Sequence, residues 1–557
     1  MSRLSLLRTE DFTGGLNLRA DPFQLGRTES PDLLNVDIDP RGGLTMRGGM
    51  TKLNTSAIGS IANGSFTPKT LYAWDDSTPQ LLLSANNAVY SAATTAFTSL
   101  SITTTAPFGA SFTSWSASNE SFVYIGTGGV SYKWNGTTSA TALTDASTAY
   151  ADDYSSPVTG FAPKCRYIAS HVDRLWCAYV TEGSTDYPNR VRFSHPINRE
   201  SWATNDYIDI VEGGSGITAI IPFNGNLLVF KKRAVFAIMG YSTDTFQVIN
   251  LTNEVGAVNP LSVVATEAAV YFFSWPDGLF KYDGQQFMDL FTAIRPLVQT
   301  GQVNNIAQDE IRVASVNHKI WVSLPLSTDT KVTASYIYDP SLKQAGAWSK
   351  YQTCDLKGVG SGCDFVTSTG TTYNVVCHPS NAYVLKVDQL SVYQDDVGTG
   401  LTNFTSYYTT PWQDANNVSN RKMWRRPDFV VKQTTVATNL TMRVYHDWEE
   451  AIIARTYVVS LDASGDALIW NPVVGSFYNN VGFTYNNAGV LYNGNEPDGI
   501  DGWNEAPWGE SATGSALAVG KSLGLARSVQ LNIQGEGGKP WGVNSITYKY
   551  NPRKVRA

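Results

Sequence analysis

Short apolar runs separated by tight turns recur between residues 66 and 395, and each pair reads as a β-hairpin. LLLSANNAVYSA turns at Asn86-Asn87, SFVYIGTGGVSYKWNG at Gly126 to Gly129, and NLLVFKKRAVFAIMG near Lys231 to Arg233. AVYFFSWPDGLFKYDG turns at Pro276-Asp277-Gly278, and NVVCHPSNAYVLKVD at His378 to Asn381. RLWCAYV from Arg174, KIWVSLPL from Lys319 and SYIYD from Ser335 are further strand-like runs. Aromatic-Asp/Asn endings occur at Trp74-Asp75, Trp134-Asn135, Tyr282-Asp283 and Tyr338-Asp339. Their first and last spacings are nearly equal, and the middle one is long enough for two or three such units. A unit of roughly 50–60 residues matches one four-stranded propeller blade. Residues 51–395 therefore predict a degenerate β-propeller of about six blades, with two packed sheets as the alternative for the same strands.

The flanks have another texture. Residues 1–50 contain DFTGGLN and DIDPRGGLTMRGG, whose Gly and Asp predict turns and an extended arm. Single turns of helix are expected near Ser30–Val36 and Phe291–Thr300. Residues 396–557 lose the hairpin repeat but keep alternation, as in MRVYHDW and YVVSLD, and read as a second, sandwich-like β domain. Tyr485 to Gly509 reads as one long loop. The closing SITYKYNPRKVRA reads as an alternating strand with a basic tip, expected to pair back onto the first domain. The predicted class is all-β.

Composition agrees with this pattern. Aromatics are 12% of the 557 residues, and charged residues only 16%. The charged share lies below the globular norm of about 25%, which excludes a charge-rich disordered chain. It suits a surface spent on subunit contacts. Net charge is −7, but residues 521–557 hold seven Lys/Arg against one Glu, so residues 1–520 carry −13. An acidic body argues against tight nucleic-acid binding over the whole surface. Five cysteines without a CxxC predict no disulfide framework and synthesis in a reducing compartment. No secretory leader and no membrane span are expected.

Candidate chemistry is sparse. GSALAVGKS, Gly514 to Ser522, has five residues between its glycines where a phosphate-binding loop needs four, and reads as strand and turn. His171, His195, His318, His378 and His446 stand in no metal-ligand spacing. No GxSxG elbow occurs. Asp152-Asp153, Asp395-Asp396 and Glu449-Glu450 are sequence neighbours, which point to opposite faces of a strand, so they read as solvated loops rather than glycosidase dyads. Asp37-Ile38-Asp39 with Gly42, and Asp498-Gly499-Ile500-Asp501, carry oxygen ligands that suit Ca²⁺, but Asx turns are the simpler reading. No cofactor, metal or catalytic residue is predicted.

Arg421-Lys422-Met423-Trp424-Arg425-Arg426 mixes cations with an aromatic. Arg and Trp favour interfaces, so Arg421, Trp424, Arg425 and Arg426 are assigned to a subunit contact in preference to nucleic acid. Lys549, Arg553, Lys554 and Arg556 join them as a basic end that docks onto a neighbour.

Phe12 to Gly49 resembles the opening of phage tail nozzle and head-completion proteins. A GG-x-N turn, a Glu-Ser-x-Asp-x-x-N segment and a Gly-x-Leu-x-x-Arg-x-Gly strand are matched by Gly14, Gly15, Asn17, Glu29, Ser30, Asp32, Asn35, Gly42, Leu44, Arg47 and Gly49. NRVRFSHPINRESWATNDYIDI, the following GITAIIPFNGNLLVFKKRAVFAI, Val270 to Gly284 and SITYKYNPRKVR are similar to later parts of that family. The resemblance implies a non-enzymatic virion protein, made in the host cytoplasm, with a propeller and attached β domains. It implies a sixfold homo-oligomeric ring below the portal adaptor. That ring passes phage DNA without reading its sequence, and it holds tail fibres or a needle-like plug. One rival is a receptor- or carbohydrate-binding tail protein, marked by a rosette of exposed aromatics. The other is a propeller glycosidase, which needs convergent buried carboxylates.

Overall fold

A computed structural model describes residues 4–117, 120–143, 164–196, 199–203, 205–342, 346–389, 391–432, 434, 436–461 and 515–552. Its secondary structure is almost all strand. Seven mainly antiparallel sheets follow one another among the described residues, the first six of four strands each and the seventh of six. Their first strands are Pro68–Trp74, Ser111–Ala117, Lys164–His171, Ile217–Phe223, Val263–Ala265, Arg312–Val316 and Gly362–Val366. Each packs beside the next, and the seventh returns to the first. This is a closed seven-bladed propeller, one blade more than the repeat spacing predicts.

The five predicted hairpins are the second and third strands of blades 1, 2, 4, 5 and 7. At Asn86 and Asn87 both φ angles are positive, the geometry a two-residue hairpin requires and Asn tolerates. Blade 3 contains RLWCAYV, while blade 6 contains KIWVSLPL and SYIYD.

The seventh blade is completed from the other end of the chain. Gly362–Val366, Thr372–Cys377 and Val384–Gln389 are followed in the sheet by Gly49–Lys52, with Leu385 opposite Lys52 and Lys386 opposite Thr51. A strand from the N-terminal side thus closes the ring and removes an open edge. Gln394–Asp396 and Leu401–Asn403 continue that sheet outward.

The remainder forms two packed sheets. One contains Lys422–Trp424, Asp428–Lys432, Ser515–Val519, Gly524–Ala526 and the closing strand Gly542–Pro552; the other contains Tyr407–Thr409, Thr438–His446, Arg455–Leu461 and Val529–Gly535. Trp424, Phe429, Ile546 and Tyr548 from the first bury against Tyr408, Leu440, Met442 and Ile533 from the second. Alternation buries every second residue along these strands, which is why the pattern after Asp395 reads as a sandwich.

The N-terminal arm is not a separate unit. Ser5–Thr9 and Leu44–Met46 pair with the closing strand, and Leu33–Leu34 pairs with Tyr407–Thr409. The closing strand therefore pairs with the arm and the sandwich, where the sequence predicts pairing with the first domain. Ser30–Val36 is extended rather than helical, because its backbone is drawn into these ladders; Asn35 breaks them with a positive φ. The second helical expectation holds in part, at Pro296–Gln299. One continuous core runs from blades 5 and 6 through Phe12, Leu16, Leu33 and Val36 of the arm into the sandwich.

Candidate functional site

The chemistry-bearing groups gather in three places: the arm junction, the propeller axis and the outer surface of the sandwich. At the junction Arg47 and Asp395 are both buried. Arg47 Nη1 donates to Asp395 Oδ1 at 2.9 Å and Nη2 to Oδ2 at 2.7 Å, a bidentate pair. The remaining donors are also used. Nε donates to Asn35 Oδ1 at 2.9 Å, Nη1 to Gly48 O and Nη2 to Gln352 O. The guanidinium lies 3.7 Å from the Phe404 ring centroid. Asp395 also accepts the backbone N–H groups of Met50 and Cys354. Asp395 is thus a fully satisfied buried anion, which corrects the reading of Asp395-Asp396 as a solvated loop. Its nearness, with burial as the larger cause, pushes the Cys354 thiol up to about 11.

Other arm residues serve the same junction. Ser30 Oγ donates to Thr409 O at 2.7 Å, and Asn35 Nδ2 to Thr405 O at 2.8 Å. A Cβ on Gly49 would stand 2.2 Å from Gln394 O, so only glycine admits the neighbouring strand.

The predicted interface residues divide. Trp424 is fully buried and donates from Nε1 to Ala526 O at 3.2 Å. It is a core residue, which corrects its assignment to a contact surface. Lys422 is buried beside it, its ammonium held by Asn420 O and Arg527 O. Arg421, Arg425 and Arg426 are exposed. Lys549 is tied to Asp428 at 2.6 Å. Arg553, Lys554 and Arg556 lie outside the described residues, as do Asp152-Asp153, the Asp498 loop and the predicted loop Tyr485–Gly509.

Several of the remaining candidates have structural partners. Asp39 accepts from the Arg41 backbone N–H and guanidinium, an Asx turn. The Arg41 hydrogen bond outweighs burial and holds the Asp39 carboxyl down at about 2. Asp37 takes Lys319 at 2.9 Å and the Tyr351 hydroxyl. Buried His378 accepts the Asn381 N–H at Nδ1 and faces Asp355 across 3.1 Å. Burial favours a higher Asp355 pKa, but His378 and Thr353 hold it below the usual carboxylate value. Ser515–Val519 is a strand paired with Asp428–Lys432, as expected for the near-miss phosphate motif. Among the described residues no three His, Cys, Asp or Glu side chains gather as a metal site, and no helix is long and apolar enough to cross a membrane.

On the propeller axis, the first strands of blades 1 to 5 border a cavity of about 370 Å³. Tyr72, Thr113, Ala219, Pro222 and Leu261 line it. Arg166 reaches the same cavity while stacking 3.6 Å from the Tyr179 ring centroid. This lining offers hydroxyls and apolar surface, without a facing carboxylate pair.

No family model matches the chain, and no curated protein matches it. Many solved structures share a partial likeness. The extracellular domain of a one component system from B. thetaiotaomicron is 11% identical, with a TM-score of 0.37; the match covers 68% of this chain and 43% of that one. A catalytically inactive virginiamycin B lyase from Staphylococcus aureus is 11% identical over 61% of this chain and 99% of its own, with a TM-score of 0.37. BamB from Moraxella catarrhalis is 12% identical over 59% and 98%, with a TM-score of 0.32. This chain thus spans less than half the length of the first of these proteins, and its β-propeller with an added β-sandwich is established by its own sheet order.

Proposed function

We propose that this chain is a virion structural protein, the tail nozzle of a short-tailed bacteriophage. It is made in the host cytoplasm and assembles as a ring below the portal adaptor. The ring carries outgoing DNA and anchors fibres or a plug. One observation carries the reading: residues of the resemblance motif are those that weld the arm to both domains. Arg47 anchors the buried ion pair, Asn35 and Ser30 satisfy backbone groups across the junction, and Gly49 admits the strand that closes the propeller. The motif is thus a set of physical requirements rather than a loose composition.

Two further features support it. Separate domains normally move relative to one another unless a large apolar interface locks them. Here one core spans the arm, the propeller and the sandwich, which suits a subunit through which a stiff polymer is driven. A net charge of −7 per chain repels DNA and favours passage over retention. The carbohydrate-binding alternative has less support. The markedly exposed aromatics among the described residues, Phe23, Tyr207 and Tyr241, stand on the arm, blade 3 and blade 4 rather than in one rosette.

Electron-microscopic imaging of the purified protein, alone and mixed with the adaptor of the same particle, tests the proposal. Sixfold rings with a central hole are expected. A particle that remains monomeric or trimeric in both samples overturns it.

A further inference from the structure

The outer face of the larger sandwich sheet is basic and apolar at once. Lys422 and Trp424 point inward, so their alternate neighbours Arg421, Met423 and Arg425 point outward. The register places Met423 beside Leu525 on one side and Asn551 on the other. Arg425 Nε reaches Asn551 Oδ1 at 2.8 Å, which fixes it on this face. Arg527 follows Leu525 at the same parity and is exposed. On the far side of the closing strand, Leu6 stands opposite Lys549. Leu4, Leu6 and Leu525 are 50%, 63% and 37% exposed. Arg421, Arg425, Arg426 and Arg527 form no ion pair among the described residues. In a chain of net negative charge, a strip of unneutralised guanidinium groups among exposed leucines marks a contact surface.

The complementary surface is on the same molecule. In an antiparallel blade, the turn between strands one and two and the turn between strands three and four lie at the same end. That end of the propeller carries Asp75 and Asp76 in blade 1, Asp244 in blade 4, and Glu267 and Asp283 in blade 5. None of these five forms an ion pair among the described residues. Asp75, Asp244 and Glu267 are exposed.

We propose that the outer sandwich face of one copy docks on the acidic propeller end of the next, making the head-to-tail contact of the ring. A contact between two different patches closes into a ring when its rotation permits. The charge pattern chooses the partner and register, and the leucines supply the buried apolar area. The inference rests on the nozzle reading: uncovered cations facing a channel would hold DNA, whereas cations covered by a neighbour's carboxylates leave it free to slide.

Charge swapping tests it on the full chain. Arg421→Glu, Arg425→Glu and Arg527→Glu form one set; Asp75→Lys, Asp244→Lys and Glu267→Lys form the other. All six positions are solvent-exposed, and unfolding midpoints check that each variant folds. Sedimentation over a concentration series reads the assembly. Either set alone is expected to weaken it on the order of 100-fold, since juxtaposed like charges cost several kcal/mol. Both sets in the same chain should restore it. A wild-type ring unchanged by the basic-face set overturns this inference alone, as does loss without rescue by the second set. Wild-type retention of a labelled DNA duplex, abolished by the basic-face set while the ring persists, overturns it in favour of a nucleic-acid surface. A wild-type chain monomeric throughout, with and without the adaptor, overturns the nozzle reading and this inference together.

Discussion

Arg47 and Asp395 are 348 residues apart in the chain and form a bidentate ion pair buried from solvent, joining the arm to the strand that leaves the propeller. Every donor of the guanidinium and both carboxylate oxygens have partners around them. Such a site is costly to break from one side, because the surviving charge stays buried without compensation.

Arg47→Met should therefore destabilise the protein by about 3–5 kcal/mol. Pairing it with Asp395→Leu should recover much of that loss, since no isolated charge then remains. Urea unfolding of the three variants checks both statements.

Gly49→Ala should cost about 1–3 kcal/mol, the range for overpacking a tight site. The added methyl meets the Gln394 carbonyl, which belongs to a backbone ladder and yields little. Hydrogen exchange should show the loss concentrated in blade 7, which Gly49–Lys52 completes.

Trp424→Ala should cost about 3–5 kcal/mol as a core truncation. Arg421→Ala, on the neighbouring exposed position, should change stability by no more than about 0.5 kcal/mol. The contrast, measured by thermal unfolding of dilute protein, separates the two roles that the sequence merges into one cluster.

Asp39 titrates lower in the fold than the ordinary aspartate value of 3.8, at about 2. The Arg41 contact thus contributes stability at pH above 3.8, and that contribution is lost as pH falls from there towards about 2. Asp39→Asn should remove this part of the acid dependence. Unfolding midpoints measured across that window should fall less steeply for the variant than for the wild type.

The hairpins were legible because their turns are local chemistry: Asn86-Asn87 carries its own backbone preference. The blade count was less so. Trp74 ends a first strand, whereas Trp134, Tyr282 and Tyr338 end third strands, so the aromatic endings do not mark equivalent positions. The long interval from Trp134 to Tyr282 spans three blades. The strand that completes blade 7, Gly49–Lys52, lies outside the repeat and is supplied from the arm.

Long-range partners explain the misread site residues. Nothing beside Asp395 in the sequence announces Arg47. The arginine is noticeable only through the Gly-x-Leu-x-x-Arg-x-Gly resemblance, which says that it matters but not what it touches. Lys422 and Trp424 share a face by simple alternation, and that signal was available. Which face is buried depends on Ala526 and Tyr550, strands that arrive much later in the chain.

Native mass spectrometry of the purified chain, with the particle's adaptor added where required, tests the nozzle reading most directly. A mass six times that of the 60.7 kDa chain, before any adaptor mass, is the predicted result. A chain that stays at 60.7 kDa, or stops at three copies, with and without the adaptor, contradicts it.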